Sequence, residues 1–409
     1  ENNVYNQNLY IWKDGVCSQL TQSNKDNGAL FLDDSTILFR SRRDADQKEE
    51  VTSYYTISIH GGEAKKCFDI PLQVSSMEPL NKDEFLVNVS FLKGEKEEKD
   101  YEVFTKIPFC HNGGGYAKNT VSRLYIFNSK TKDLKPITPE DLTVSSYEIN
   151  CDKSEILVIA NKDNKKPSMR AGLFTYSVAT EAWNSVIEEK EYDVDDAHYF
   201  NGGILFSGNK EWKHGYNENS RFFFADETGT ISLFLDNTES LWNSVGSDCR
   251  YGGGYQTKVS GDKFYFVSTI GHNSVVLSLD TQGVIREELA YDGSVDCFDV
   301  CDGTFYYVGM KDGMLQELFM KAEIDEKLTS LNEEILKEKY VASYEEVPFE
   351  NDGYDFLGWV LLPKDYDPTQ KYPAILDIHG GPKTAYGRVF YHEMQLWANM
   401  GYFVFFTNP

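Results

Sequence analysis

From Asn8 to about Leu331 one phrase recurs, and it restricts the fold more than any other feature of the chain. A short apolar or aromatic strand follows an acidic or glycine turn, and a second strand, with its polar turn, then leads to a third. The first strands are Ser35–Arg40, Asp83–Asn88, Ser154–Ile159, Gly202–Ser207, Asp262–Val267 and Gly303–Val308. The second are Leu9–Trp12, Tyr54–Ser58, Arg123–Phe127, Leu173–Tyr176, Arg221–Ala225, Ser274–Ser278 and Gln316–Met320. β-Branched and aromatic residues fill these segments and turn residues bound them. The unit repeats at roughly 40 to 60 residues, the period of a β-propeller, in which each small sheet buries its faces only against its neighbours. Six full units and a partial one at Leu9–Thr21 predict a mainly β fold. The expectation is a seven-bladed β-propeller over residues 1–331, its first blade incomplete. Stacked β-sandwiches would explain the strand spacing but not the fixed phrase.

Charge and cysteine content narrow the function classes. The net charge of −25 should repel phosphate backbones, so no nucleic-acid partner is expected. An acidic cytoplasmic protein is the plain expectation, and a field that attracts cationic peptides the sharper one. No apolar run approaches the ~20 residues that span a bilayer, so no membrane partner is expected. Glu1-Asn-Asn-Val-Tyr5 has neither a basic region nor an apolar one, so no signal peptide is visible. The seven cysteines are odd in number and scattered, with no CxxC. Cys297 and Cys301 share one face if they lie on one strand, and reduced core thiols are expected rather than a disulfide framework or zinc site.

Several polar segments have bland readings. Lys93–Asp100 is a charge run suited to a solvated loop. Pro108–Gly115 and Arg250–Tyr255 are glycine-rich, but neither leads into Gly-Lys-Ser/Thr, so they read as turns needing positive φ and not as phosphate loops.

Near Leu331 the rhythm changes. Leu331–Tyr340 is rich in helix formers and reads as a short helical connector within residues 332–343. Two strands follow, Tyr344–Phe349 and Phe356–Leu362, joined at Asn351-Asp-Gly. Then Ala374–Ile378 reads as a buried central strand of a parallel sheet and runs into His379-Gly380-Gly381-Pro382. Phe390, Met394, Trp397 and Ala398 share a helical face, Gly401 stops that helix, and Tyr402–Phe406 is the next buried strand. Glycine at a strand end leaves bare backbone amides that a tetrahedral intermediate can approach, so Gly380 and Gly381 are the candidate oxyanion-hole donors. Residues 344–409 therefore read as the start of an α/β-hydrolase domain. The catalytic His of that fold follows the Ser in chain order, so His379 reads as structural.

A propeller followed by such a domain resembles the prolyl oligopeptidase (S9) family of serine peptidases. The stretch Lys371–Pro382, with Tyr386-Gly387, Phe390, His392-Glu393, Gln395-Leu396, Gly401-Tyr402 and Thr407–Pro409, is similar to its acylaminoacyl-peptidase-like branch. Before residue 340 the resemblance is architectural only. It implies hydrolysis of short peptides by Ser-His-Asp acyl transfer, a propeller that filters substrates, no metal or organic cofactor, and a family habit of self-association. In the dipeptidyl-peptidase branch a Glu pair holds the free α-amine. Here Glu188-Glu189 and Glu345-Glu346 stand outside such a motif and read as solvated charges, which favours the acylaminoacyl or oligopeptidase branch. No Gly-x-Ser-x-Gly occurs in the sequence. The expectation is a fragment truncated before the catalytic Ser and inactive alone. The competing readings are a dipeptidyl-peptidase-like exopeptidase, a non-catalytic binding propeller, and an esterase or lipase with a fused propeller.

Overall fold

The computed structural model describes all residues except 1–3, 45, 47, 94–100, 102, 103, 105, 108, 109, 112–114, 117–119, 167, 169, 251, 382 and 409. The fold is mainly β, with 52% strand and 3% helix. The chain divides into two compact units, Glu1–Tyr199 with Phe206–Glu211, and Phe200–Leu205 with Trp212–Pro409.

A two-stranded sheet, Tyr10–Lys13 with Val16–Gln19, comes first. Six four-stranded sheets follow, each with its strands in spatial order nearly as in the chain. They span residues 26–70, 74–136, 142–187, 193–235, 257–289 and 293–327. A small hairpin, Cys110–His111 with Gly115–Tyr116, is inserted between the second and third strands of the second of these.

Apart from Leu9–Trp12, which lies in the two-stranded sheet, each apolar phrase of the sequence forms the second or third strand of its sheet. These strands have partners on both edges and bury consecutive residues, hence both faces, so they read as continuous apolar runs. Ile156 to Ala160 in the strand Glu155–Lys162 are all buried, whereas the fourth strand Trp183–Ile187 buries only Ile187. The first and fourth strands carry a weaker apolar signal, and the sequence marks no residue ranges for them.

Within the first unit, Leu38, Tyr54, Phe68 and Ile70 of one sheet pack on Val74, Met77, Phe85 and Val87 of the next. Leu86 and Leu124 in turn pack with Val144, Ile156 and Val158. In the second unit Tyr265, Val267 and Val276 meet Val295, Phe298, Phe305 and Tyr307. Within each unit these sheets thus stack face to face, each burying a face its neighbour supplies.

The expected helix over 331–340 shrinks to Glu333–Leu336. The Asn332 side chain, placed to cap it, donates instead to Gln316 O at 2.6 Å, and a helix so short is marginal by itself. Strands Tyr344–Asn351 and Tyr354–Leu361 form the expected hairpin, with Asp352 (φ 52°) and Gly353 (φ 82°) in the turn. The last sheet has the order Tyr344–Asn351, Tyr354–Leu361, Phe403–Thr407, Ala374–Asp377.

Within that order Ala374–Asp377 has one partner among the described residues, the parallel strand Phe403–Thr407, so the expected central position is not tested by these residues. Leu376 is 57% and Ile378 77% exposed. An apolar run records what a strand is suited to bury, not what lies beside it.

The cysteines also differ from expectation. All seven are free, but Cys67, Cys110, Cys151 and Cys301 are exposed and Cys17, Cys249 and Cys297 half-buried, so none is a core thiol. A bulge between Val295 and Cys297 shifts the strand register there. Gly253 (φ 134°) and Gly254 (φ 84°) have the anticipated positive φ. All of the expected loop Lys93–Asp100 except Lys93, and most of the earlier glycine-rich stretch, lie outside the described residues.

Candidate functional site at the His379–Gly381 loop

Ala374–Asp377, the helix His392–Asn399 and Phe403–Thr407 make a strand–helix–strand unit with parallel strands. Open sheets of this kind place their chemistry at the carboxyl ends of the strands. His379, Gly380 and Gly381 lie there. The helix packs Met394 and Ala398 into a cluster with Trp359, Leu361, Val404 and Phe406. Its end is sharp: Gly401 (φ 96°) donates to Ala398 O and Tyr402 to Trp397 O, both at 3.1 Å.

Gly381 has φ 70°, and a Cβ there would come 3.0 Å from Thr384 Oγ1. At Gly380 an added Cβ meets no atom within 4 Å. Packing therefore does not account for glycine at 380. Among the described residues neither amide has a hydrogen-bond acceptor. Pro382 lies outside the described residues.

The His379 ring meets Tyr386 edge-on, with centroids 5.0 Å apart. Its Nδ1 is 3.2 Å from Gly380 O, and its buried Nε2 has no partner among the described residues. Tyr386 is fixed in turn. Its N–H donates to Asn408 Oδ1 at 2.7 Å, and Asn408 Nδ2 donates back to Tyr386 O at 2.9 Å. Burial, with the Asp377 carboxylate beside it, holds the Tyr386 hydroxyl well above the usual tyrosine range.

Beside Gly381 lies an open groove of about 520 Å³, lined also by Thr384, Lys383, Asn217, Asn243 and Arg250. Lys383 Nζ donates to Asn219 Oδ1 at 3.0 Å. Arg250 Nε donates to Asp296 Oδ1 at 2.8 Å and Nη2 to Ser294 Oγ at 2.6 Å. Asn243 Nδ2 donates to the same Ser294 Oγ at 2.7 Å. Sequence reasoning missed Arg250, Asn243 and Asp296, because no motif spacing connects them.

Of the two Glu pairs, Glu345 and Glu346 are exposed on the strand Tyr344–Asn351. Glu188 is exposed and Glu189 half-buried, the latter with Oε1 unpartnered among the described residues. Among the described residues no group of three or more His, Cys, Asp or Glu could hold a metal ion. No helix among them is long and apolar enough to cross a membrane.

No family model matches the chain. The uncharacterized peptidase YuxL of Bacillus subtilis is 24% identical over 441 residues, covering 100% of this chain and 65% of that protein. The probable dipeptidyl-peptidase 5 of Aspergillus niger is 30% identical over 107 residues, which is 25% of this chain and 14% of that one. Among solved structures, the acylaminoacyl peptidase of Pyrococcus horikoshii superposes with TM-score 0.74 at 18% identity, covering 97% of this chain and 59% of its own. The β-propeller domain of the Trilobed protease from Pyrococcus furiosus matches 78% of this chain and 86% of its own, with TM-score 0.50 and 15% identity. The chain thus spans about two thirds of the length of YuxL. Likeness at these identities to the solved structures carries the fold, and the match to YuxL runs the whole length of the chain. The whole-length likeness to a peptidase and the shared fold support the resemblance of this chain to the prolyl oligopeptidase (S9) family.

Proposed function

We propose that this chain is the propeller and the first part of the catalytic domain of a serine peptidase that hydrolyses short peptides, in the manner of acylaminoacyl peptidases and oligopeptidases. Residues 1–331 are the propeller, its six four-stranded sheets and the two-stranded first one making seven blades with the first incomplete. Residues 332–343 are the connector and 344–409 begin the α/β-hydrolase domain.

The observation that carries this reading is the pair of unengaged amides at Gly380 and Gly381, at the carboxyl end of a parallel strand and beside an open groove. They are the donors that meet the developing oxyanion, each lowering the barrier by about 3 kcal/mol. The open space at Gly380 leaves room for the reacting carbonyl. The sheet order supports the domain assignment: two antiparallel strands, then a fourth strand seated between the second and the third. The nucleophile, its His and the orienting Asp come from outside these 409 residues, since the sequence holds no Gly-x-Ser-x-Gly. The groove receives the peptide, and the propeller limits which peptides arrive.

A second reading, a dipeptidyl-peptidase-like exopeptidase, rests on the match to dipeptidyl-peptidase 5. The test is intact mass and fluorophosphonate labelling of the natural gene product, followed by turnover of N-acylated and free-amine peptides. One labelled Ser outside the 409 residues, with preference for the acylated substrate, is expected. Preference for the free amine selects the second reading. Absence of any labelled Ser overturns both and leaves a binding propeller.

A further inference from the structure

We propose that Asp248 is a positioning residue for the oxyanion loop, so that the propeller-side segment 244–248 helps to build the catalytic site as well as to limit access to it. The inference rests on the peptidase reading above. The segment lies between the strands Ile231–Leu235 and Thr257–Ser260 and belongs to no sheet of its own. Over five residues it seizes the loop that leaves Gly381. Ala385 N donates to Ser244 O at 2.9 Å, and Gly246 N to Ala385 O at 2.8 Å. Ser247 Oγ donates to Phe390 O at 2.7 Å. Asp248 then accepts His392 N on Oδ1 at 2.6 Å and Glu393 N on Oδ2 at 2.8 Å. Val245 and Val389 close the contact in a small buried cluster with Met310.

The Asp248 carboxylate does two things at once. The first N–H groups of a helix have no intrahelical acceptor, and Tyr391, at the N-cap of His392–Asn399, supplies none from its side chain. A carboxylate from elsewhere in the chain satisfies two of them and complements the helix dipole. It also fixes one end of the segment from Gly381 to the helix. The other end is fixed by the strand Ala374–Asp377. Between them, no side chain packs at Gly380. An oxyanion donor stabilises the transition state only if it is already in place, and a misplacement of about 1 Å can cost on the order of a hundredfold in rate. The clamp is what keeps the glycine amides from wandering.

The test uses the whole peptidase with its nucleophile present, and compares Asp248→Ala with Asp248→Asn. For Asp248→Ala, kcat should fall by about tenfold or more while KM stays within about twofold. Amide hydrogen exchange over residues 384–393 should accelerate in the same variant. Asp248→Asn retains one acceptor and should recover part of the kcat loss, which keeps the test decisive if the alanine variant does not fold. Faster exchange with unchanged kcat would overturn the positioning role and leave a purely structural cap. Unchanged exchange would overturn the clamp itself. Absence of hydrolysis by the unsubstituted protein would overturn the peptidase reading, whatever the exchange shows.

Discussion

Gln395 and Ala342 are joined by a closed pair of hydrogen bonds. Ala342 N–H donates to Gln395 Oε1 at 2.7 Å, and Gln395 Nε2 donates to Ala342 O at 3.0 Å. Both residues are buried. A side-chain amide here replaces the strand partner that Ala342 lacks, and ties the segment before the final sheet to the helix His392–Asn399.

Gln395→Leu keeps much of the volume but strands two buried backbone groups. The expected loss of unfolding free energy is about 2–4 kcal/mol, read from urea unfolding at constant m. A loss below about 1 kcal/mol would mean that water takes over both bonds.

Gly254 and Cys297 are in closer contact than any side chain at 254 permits. An added Cβ would sit 2.4 Å from Cys297 Cβ and 2.5 Å from its Sγ, at a φ of 84°. Gly254→Ala should cost about 2–4 kcal/mol, combining overpacking with left-handed strain. In a Cys297→Gly background the clash disappears, so the penalty should drop to about 1 kcal/mol. An equal penalty in both backgrounds would sink this account.

His198 lies between two carboxylates, with Nε2 2.8 Å from Asp196 Oδ2 and Nδ1 facing Glu148 Oε2. Burial disfavours its charged form, but Asp196 and Glu148 outweigh that and the imidazole is pushed up to about 10. The folded value lies above the unfolded one near about 6.5. The stabilisation is therefore fully present below about pH 6.5 and lost as the pH rises towards 10. The difference in unfolding free energy between the protein and His198→Gln should shrink across that window. A difference independent of pH would show that the ring is not charged in the folded protein.

Gly401 ends the helix His392–Asn399 at φ 96°. Gly401→Ala should cost about 1 kcal/mol, and Gly401→Asn less, because Asn tolerates the left-handed region better. Thermal unfolding of the pair reads this, and equal stability of Ala and Gly at 401 would contradict the cap assignment.

What could be read in advance followed burial. The strands Glu155–Lys162 and Lys263–Ile270 each bury five consecutive residues, and those letters are apolar but for Ser268. Asp325–Lys327 is fully exposed and as polar as a loop, and only its pairing with Glu317–Lys321 makes it a strand. The helical letters of 331–340 failed for the converse reason. Propensity without a buried face sustains one turn, and no residue of Glu333–Leu336 is buried.

The sequence by itself determined the repeat of paired apolar strands, the Asn351-Asp-Gly hairpin, the helix stopped at Gly401, and the glycine pair after a strand. Each is a local pattern, in which a few neighbouring residues set backbone preference or the period of burial. Tertiary structure alone decided that Ala374–Asp377 pairs in parallel with Phe403–Thr407, that Arg250 meets Asp296, and that Asp248 reaches a helix 144 residues further on. Such contacts depend on which surfaces the folded sheets bring together. Hydrogen bonds between distant residues leave no periodicity in the chain that makes them.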